Sequence, residues 1–424
     1  MAKKKKIERP KHKPTRRQLS HWQKQKRRQR FIIGIGISVI IAALGLVGAG
    51  IYYQWYVPQE KPFKETVVEV NDTRFDMAYY IDALNYHLEG LSPDLISYYL
   101  DIIAEGIQQN ELIRQEALEL GITISDAEVN EEIKNGELPD NRAVRDITRV
   151  QLLVQKLREG YFNEQVPVSA EQRYIMAMFL ESEGQANEIR ERLLAGEDFG
   201  QLTSELSLDA YTRENNGDLG WKPEGIIDGL LQTSVLEEYI FSYPVGAVVV
   251  PVRDVEKTKE LGYWLIEVLE RNEETGEAHV QAIMLASEEE AQMIVARLSD
   301  DEDFTELAGE YSQSWSEEEG ADLGWLAEGD SSDAFSEFVF NPETELNTVS
   351  ELIRDEDIST EGGYWLFKVL DSGVREISDE DRDVLIEQAM QDWLESLLED
   401  PENIVLSYLN DEMREFAISK FTES

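Results

Sequence analysis

One short motif occurs twice in this chain, and the repeat around it limits the folds available. Gly217-Asp218-Leu219-Gly220-Trp221 returns as Ala321-Asp322-Leu323-Gly324-Trp325. Upstream, 177–207 aligns without gaps on 282–312, with identity at 14 of 31 positions. Downstream, Gly262-Tyr263-Trp264-Leu265 returns as Gly363-Tyr364-Trp365-Leu366. The offset drifts from 105 to 104 to 101, so length changes fall between the matching blocks, as loops permit. A repeat of about a hundred residues is a duplicated domain; solenoid units are shorter.

The two copies span 169–272 and 277–372. Each reads as a strand, two helices, a Gly-rich turn, a third helix and two closing strands. In the first copy the strand lies near 177–180, the helices over 185–195 and 199–206, and the closing strands over 248–250 and 263–269. Strands divided by helices within one unit give an α+β domain.

A helical region precedes the repeats, over 60–166. Thr66–Val70 alternates like a half-buried strand, and Met77, Tyr80, Ile81, Leu84 and Leu88 recur at helical spacing. Ser92-Pro93 is expected to open a long helix that Gly121 ends. Ser125 and Glu128 form a capping box, and a further helix covers 141–161. After the repeats, 376–424 is expected to form two helices, the second carrying Val405, Tyr408, Leu409, Met413 and Phe416. Such apolar faces do not stay solvated alone. They are expected to fold back on the helical region and complete it.

The formal charge of −46 hides two opposite segments. Residues 1–30 hold fourteen Lys/Arg against Glu8, which gives +13; the remaining 26 basic and 85 acidic residues give −59. Phe31–Tyr53 follows, 23 residues without a charge, long enough to span a bilayer as a transmembrane helix. Tyr52, Tyr53, Trp55 and Tyr56 suit a membrane interface, and the basic block before the span places the N-terminus in the cytoplasm. The chain after Pro58 is then extracytoplasmic. A cleaved signal peptide is the rival reading, but the apolar run is longer than a signal core. Anionic lipid heads account for the basic tail, so no nucleic-acid partner is expected.

The chain has no cysteine, which excludes disulfides and thiolate metal sites. Its four histidines, His12, His21, His87 and His279, show no metal-ligand spacing, so no metal and no cofactor is expected. No nucleophile elbow or phosphate-binding loop is present.

Both repeats resemble the parvulin-type peptidyl-prolyl isomerase domain. The likeness rests on Glu-Asp-Phe at 197–199 and 302–304, the Ser after the second helix, Gly-Asp-Leu-Gly-Trp, the Phe-containing third helix and the closing Gly-Tyr strand. The region before them, with Val-Glu-Val-Asn-Asp at 68–72 and Leu-Gly-Ile-Thr-Ile-Ser-Asp-Ala-Glu-Val at 120–129, is similar to that of SurA- and PrsA-type foldases. The resemblance covers about 60–420. It implies a helical chaperone domain completed by the C-terminal helices, with two parvulin-like α+β domains between.

The resemblance also implies a site. Parvulins twist an X–Pro amide through a barrier of about 20 kcal/mol with two histidines, an Asp or Cys and a Ser/Thr. Here the histidine positions hold Ala177 and Trp264 in one copy, Ala282 and Trp365 in the other. The hydroxyl position holds Leu261 and Gly362. The Asp/Cys position holds Asp209 and Ser314, so Asp209 is the retained candidate catalytic group. Leu236 and Phe241, with Phe335 and Phe340, fall at the proline-pocket positions. Leu236, Trp264, Phe335 and Trp365 are the candidate substrate contacts. The functional expectation is a membrane-anchored folding factor that holds unfolded or secreted polypeptide clients, with weak or no isomerase activity. An active isomerase and a structural docking module in an envelope assembly stay open as alternatives.

Overall fold

The computed structural model describes residues 60–247, 250–314 and 321–423, together with Val47 and Gly50. No helix among the described residues is long and apolar enough to cross a membrane. The expected span 31–53 lies outside them, save for those two positions. The described chain packs as two compact units, one holding residues up to Gly160 with those from Gln391 onward, the other Tyr161–Met390.

In the first unit, β1 (Thr66–Val70) turns into β2 (Thr73–Asp76) through Asn71, which takes a positive φ of 52°. Asn tolerates that conformation better than most residues. Asp76 caps helix α1 (Met77–Leu88) by accepting from the Tyr79 amide at 3.0 Å. Helix α2 (Pro93–Glu119) opens at Ser92 without a side-chain cap. The Ser125–Glu128 capping box starts α3 (Asp126–Asn135), and Asn141 caps α4 (Arg142–Lys156). Tyr80, Leu84, Ile96 and Leu100 are buried in the core these helices share, and the Tyr80 hydroxyl donates to the Leu100 carbonyl at 2.7 Å.

The C-terminal segment completes this unit with the end of the helix Asp379–Glu399, one strand and a last helix. Val405–Ser407, expected to be helical, is a strand paired with β1 through Val70↔Val405 and Val68↔Ser407. The pairing covers an edge of β1 that would otherwise be open. Asn71 locks the register, exchanging backbone and side-chain bonds with Ile404 at 2.7 and 2.8 Å. The last helix, Asp411–Glu423, buries Ala417 and sets Phe416 edge-on against Phe63 at 5.0 Å.

The second unit holds both repeats. Repeat one supplies β3 (Ser169–Leu180), α5 (Glu183–Leu194), α6 (Phe199–Leu206), α7 (Ala210–Glu214), β4 (Asp218–Pro223), α8 (Ile227–Leu231), α9 (Leu236–Ser242) and β5 (Val252–Arg271). Repeat two supplies β6 (Ala278–Leu285), α10 (Glu288–Ser299), α11 (Phe304–Tyr311), β7 (Asp322–Leu326), α12 (Asp333–Val339) and β8 (Ile353–Glu376). Their strands form one antiparallel sheet in the order β4-β3-β8-β5-β6-β7.

That order exchanges the closing strands of the repeats. β3 pairs with the end of β8, through Ala177↔Phe367 and Phe179↔Trp365. β6 pairs with the end of β5, through Ala282↔Ile266 and Met284↔Trp264. Between them the two long strands cross, pairing Thr258↔Glu361, Lys259↔Thr360 and Glu260↔Ser359. The sequence boundaries at 169–272 and 277–372 therefore delimit copies of sequence, whereas each folded module is built from both. The first module joins β3, β4 and α5–α9 to 364–376. The second joins β6, β7 and α10–α12 to 263–271.

Two repeated glycines serve this layout. A Cβ on Gly363 would lie 2.5 Å from the Leu180 carbonyl oxygen, and one on Gly262 would lie 2.6 Å from Ile358 Cδ1. Gly220 and Gly324 take positive φ of 71° and 74°, where their amides turn back onto Asp218 and Asp322 at 2.9 and 2.8 Å. The repeated Asp-Leu-Gly-Trp is thus a bulged edge-strand turn.

Candidate functional site

Asp209 stands at the start of α7, and both of its carboxylate oxygens are committed. Oδ1 accepts from the Thr212 amide at 2.8 Å, and Oδ2 meets Lys257 Nζ at 2.9 Å. Both side chains of the ion pair are 7% exposed. Lys257 also donates to the Leu231 carbonyl at 2.8 Å, and its ammonium lies 5.8 Å from the centroid of the Trp365 ring. Beside it the Ser207 and Thr212 hydroxyls bond each other at 2.8 Å, and Ser207 accepts from the Phe179 amide at 3.0 Å. The candidate catalytic carboxylate is thus a helix cap and a counterion. In the second module the equivalent positions are Ser314 and Ile358, which need no such pair.

The four candidate substrate contacts are corrected by burial. Leu236, Trp264, Phe335 and Trp365 are 0, 3, 1 and 0% exposed. Leu236 and Trp365 lie in the core of the first module, Trp264 and Phe335 in that of the second. Trp365 packs on Phe179 with ring centroids 4.7 Å apart, and Trp264 stands edge-on to Phe335 at 5.0 Å. At the family's histidine positions each copy thus carries one buried alanine and one buried tryptophan, Ala177 and Trp264 or Ala282 and Trp365, and no imidazole.

Each buried indole needs a hydrogen-bond partner. Trp365 Nε1 donates to Asp254 Oδ2 at 3.0 Å, and Trp264 Nε1 donates to Asp355 Oδ2 at 2.9 Å. Thr233 donates to the same Asp254 oxygen at 2.6 Å, and Ser332 donates to Asp355. Sequence reasoning missed both aspartates, although they recur at the offset of 101 that relates the two tryptophans.

A polar cleft of about 660 Å³ lies over the Asp209–Lys257 pair, bordered also by Glu181, Arg213, Lys259 and Arg354. Burial pushes the Lys259 ammonium down to about 8, partly offset by nearby Glu181. Burial likewise raises the Glu181 carboxyl, which accepts from the Tyr263 hydroxyl at 2.9 Å. Lys259 donates to the Gly362 carbonyl. Stabilising a twisted amide requires preorganised groups aimed at the substrate; here Asp209, Lys257, Lys259 and Glu181 each hold a partner within the protein. Among the described residues no group of His, Asp and Glu is arranged to hold a metal ion.

A different surface stands out in the helical unit. Helix α2 buries Ile96, Leu100, Ile103, Ala104 and Ile107, while Leu95, Tyr98 and Ile102 are 51, 72 and 45% exposed. Leu91, just before the helix, is also exposed. The apolar inner face that the sequence offers for clients, Tyr79, Tyr80, Ile96, Tyr99 and Ile103, is core at four positions and partly buried at Tyr99. The exposed stripe repeats the 4-3-4 spacing of the buried one five residues earlier, so periodicity alone does not separate the two faces.

The PPIC-type PPIASE domain family matches residues 180–270 and again 263–372. The overlap falls on the strand that repeat one lends to the second module. Foldase protein PrsA of Caldanaerobacter subterraneus is 28% identical over 186 residues, covering 40% of this chain and 58% of that protein. Chaperone SurA of Dechloromonas aromatica is 24% identical over 314 residues, covering 64% and 66%. Chaperone SurA of Alcanivorax borkumensis is 29% identical over 240 residues, covering 50% and 51%. The chain thus spans about half to two thirds of these relatives' lengths. Among solved structures, PrsA of Bacillus anthracis is similar over 82% of this chain and 96% of its own, at 12% identity and a TM-score of 0.27. The chain carries two PPIC-type parvulin domains. By sequence they are homologous to those of the PrsA and SurA chaperones.

Proposed function

We propose that this chain is a membrane-anchored, extracytoplasmic folding factor that holds unfolded polypeptides, with little or no prolyl isomerase activity. The observation that carries the reading is the exposed apolar stripe Leu91, Leu95, Tyr98 and Ile102 on the helical unit of a chain whose net charge is −46. Contiguous exposed apolar residues mark interaction surfaces. The homology to PrsA and SurA supports a polypeptide client, since those proteins are named foldase and chaperone. The saturated Asp209–Lys257 pair and the buried Trp264 and Trp365 support a loss of isomerase chemistry; a domain fold does not guarantee its usual activity.

The anchor rests on the uncharged run 31–53 and the +13 segment before it. External protease on intact cells then digests the chain after Pro58 and spares the basic tail. A protected ectodomain with a cut tail overturns that topology, and a mature N-terminus near Gly50 establishes cleavage instead.

The functional test uses the full chain in detergent micelles. It suppresses aggregation of a thermally unfolding client without ATP, and leaves cis–trans relaxation of an X–Pro peptide close to the uncatalysed rate. Strong acceleration of that relaxation, with no effect on aggregation, restores the isomerase reading. Saturable binding to one folded protein and to no unfolded chain favours a docking module.

A further inference from the structure

The helical unit holds a second, separate concavity of about 310 Å³ between β2, α2 and α4. Its composition is divided. Leu118, Ile122, Ile124 and Leu153 contribute apolar lining, and Arg114, Arg142, Arg149, Glu111 and Asp146 contribute charged lining. Three guanidinium groups meet three carboxylates, Glu111, Asp146 and Asp126, in a chain whose net charge is −46.

The arginines are not equally engaged. Arg114 takes both oxygens of buried Glu111, at 2.7 and 2.6 Å. Arg149 is divided between Asp146 and Asp126, at 2.9 Å each. Among the described residues, Arg142 comes no nearer to a carboxylate than 3.8 Å, at Asp146. Its guanidinium instead lies 5.8 and 5.2 Å from the ring centroids of Phe75 and Tyr79. Those rings restrict the side chain and leave its donor edges uncommitted. A planar guanidinium held on aromatic faces suits bidentate capture of a carboxylate.

We infer that this concavity binds the carboxy-terminal residue of a polypeptide, with the terminal carboxylate on Arg142 and an apolar last side chain against Leu118, Ile122, Ile124 and Leu153. The volume admits one large side chain with its carboxylate and little more, which fits a chain end better than an internal segment. An internal aspartate or glutamate brings the charge without the apolar group beside it. The inference rests on the reading of the chain as a binder of unfolded polypeptides. It assigns chain ends to a place distinct from the α2 stripe.

The test is fluorescence anisotropy of a labelled peptide ending in Leu-Phe, titrated with the full chain at low salt. The free-acid peptide binds saturably, and the same peptide with an amidated C-terminus binds about tenfold or more weakly, the loss expected for a charge-assisted pair. Arg142→Gln weakens the free acid to the level of the amide without changing the amide's own affinity. Arg142 is largely exposed, and an unchanged thermal transition confirms that the variant folds. Leu95→Ser with Tyr98→Ser leaves the acid-to-amide ratio intact even where total affinity drops, so failure of the stripe and failure of this pocket are distinguishable. Equal affinity for acid and amide overturns the assignment. So does binding of octanoate that Arg142→Gln abolishes while the peptide's affinity is untouched, which makes the pocket a site for small carboxylates.

Discussion

Trp264, from the first repeat, donates its indole N–H to Asp355 of the second at 2.9 Å, and Trp365 of the second donates to Asp254 of the first at 3.0 Å. The two bonds are equivalent under the repeat, and each crosses from one copy to the other. They close the modules around the exchanged strands. Truncating one acceptor strands a buried indole N–H and a hydroxyl. Asp355→Ala or Asp254→Ala is therefore expected to cost about 1–3 kcal/mol by denaturant titration. Asp355→Asn, which keeps an acceptor oxygen, is expected to cost less than either.

The exchange itself is open to a covalent test, because the chain has no cysteine of its own. Glu267 and Gln281 are opposed on β5 and β6. Glu267→Cys with Gln281→Cys is expected to oxidise readily to a disulfide within one chain. Glu267→Cys with Met176→Cys tests the alternative in which each repeat keeps its own closing strand, and is expected to remain reduced. The opposite pattern places the strands back in their own repeats.

Asp209 is expected to matter for stability and not for isomerisation. Removing one member of a buried ion pair leaves an uncompensated charge, so Asp209→Ala should destabilise by about 3–5 kcal/mol. The second module does without the pair, holding Ser314 and Ile358 at these places. Asp209→Ser combined with Lys257→Ile should therefore recover most of the loss. A double variant no better than the single one shows that the carboxylate has a further role.

Lys259 gives a pH signature. Burial lowers its folded pKa from 10.5 to about 8, so the unfolded chain binds more protons between those values. Stability then rises with pH across that window as the buried ammonium is neutralised. Comparing denaturation of the wild type and Lys259→Met at pH 7 and 9.5 isolates the slope, which the variant should lack.

The sequence made the repeats, the helical unit and the C-terminal completion legible, because apolar periodicity and turn glycines are local signals. Asp218-Leu-Gly220 reports its own bulge. The exchange of β5 and β8 left no such mark: equivalent strands carry nearly the same residues, and either partner satisfies Ala177 or Ala282. Trp264 and Trp365 were read as client contacts because a ring replaced a polar residue, but the indole partner lay on a strand from the other repeat. Val405–Ser407 read as helix for a similar reason, since its partner β1 is more than 300 residues away. The α2 stripe repeats the spacing of the core face at an offset of five residues.

The holding of clients by that stripe is tested most directly by placing a photo-crosslinking amino acid at Tyr98, and separately at Trp365, in the full chain. Irradiation with an unfolded client present should give adducts at position 98, where the side chain is 72% exposed, and none at position 365, where it is fully buried. Adducts at 365 with none at 98 would contradict the account, and would return client binding to the parvulin modules.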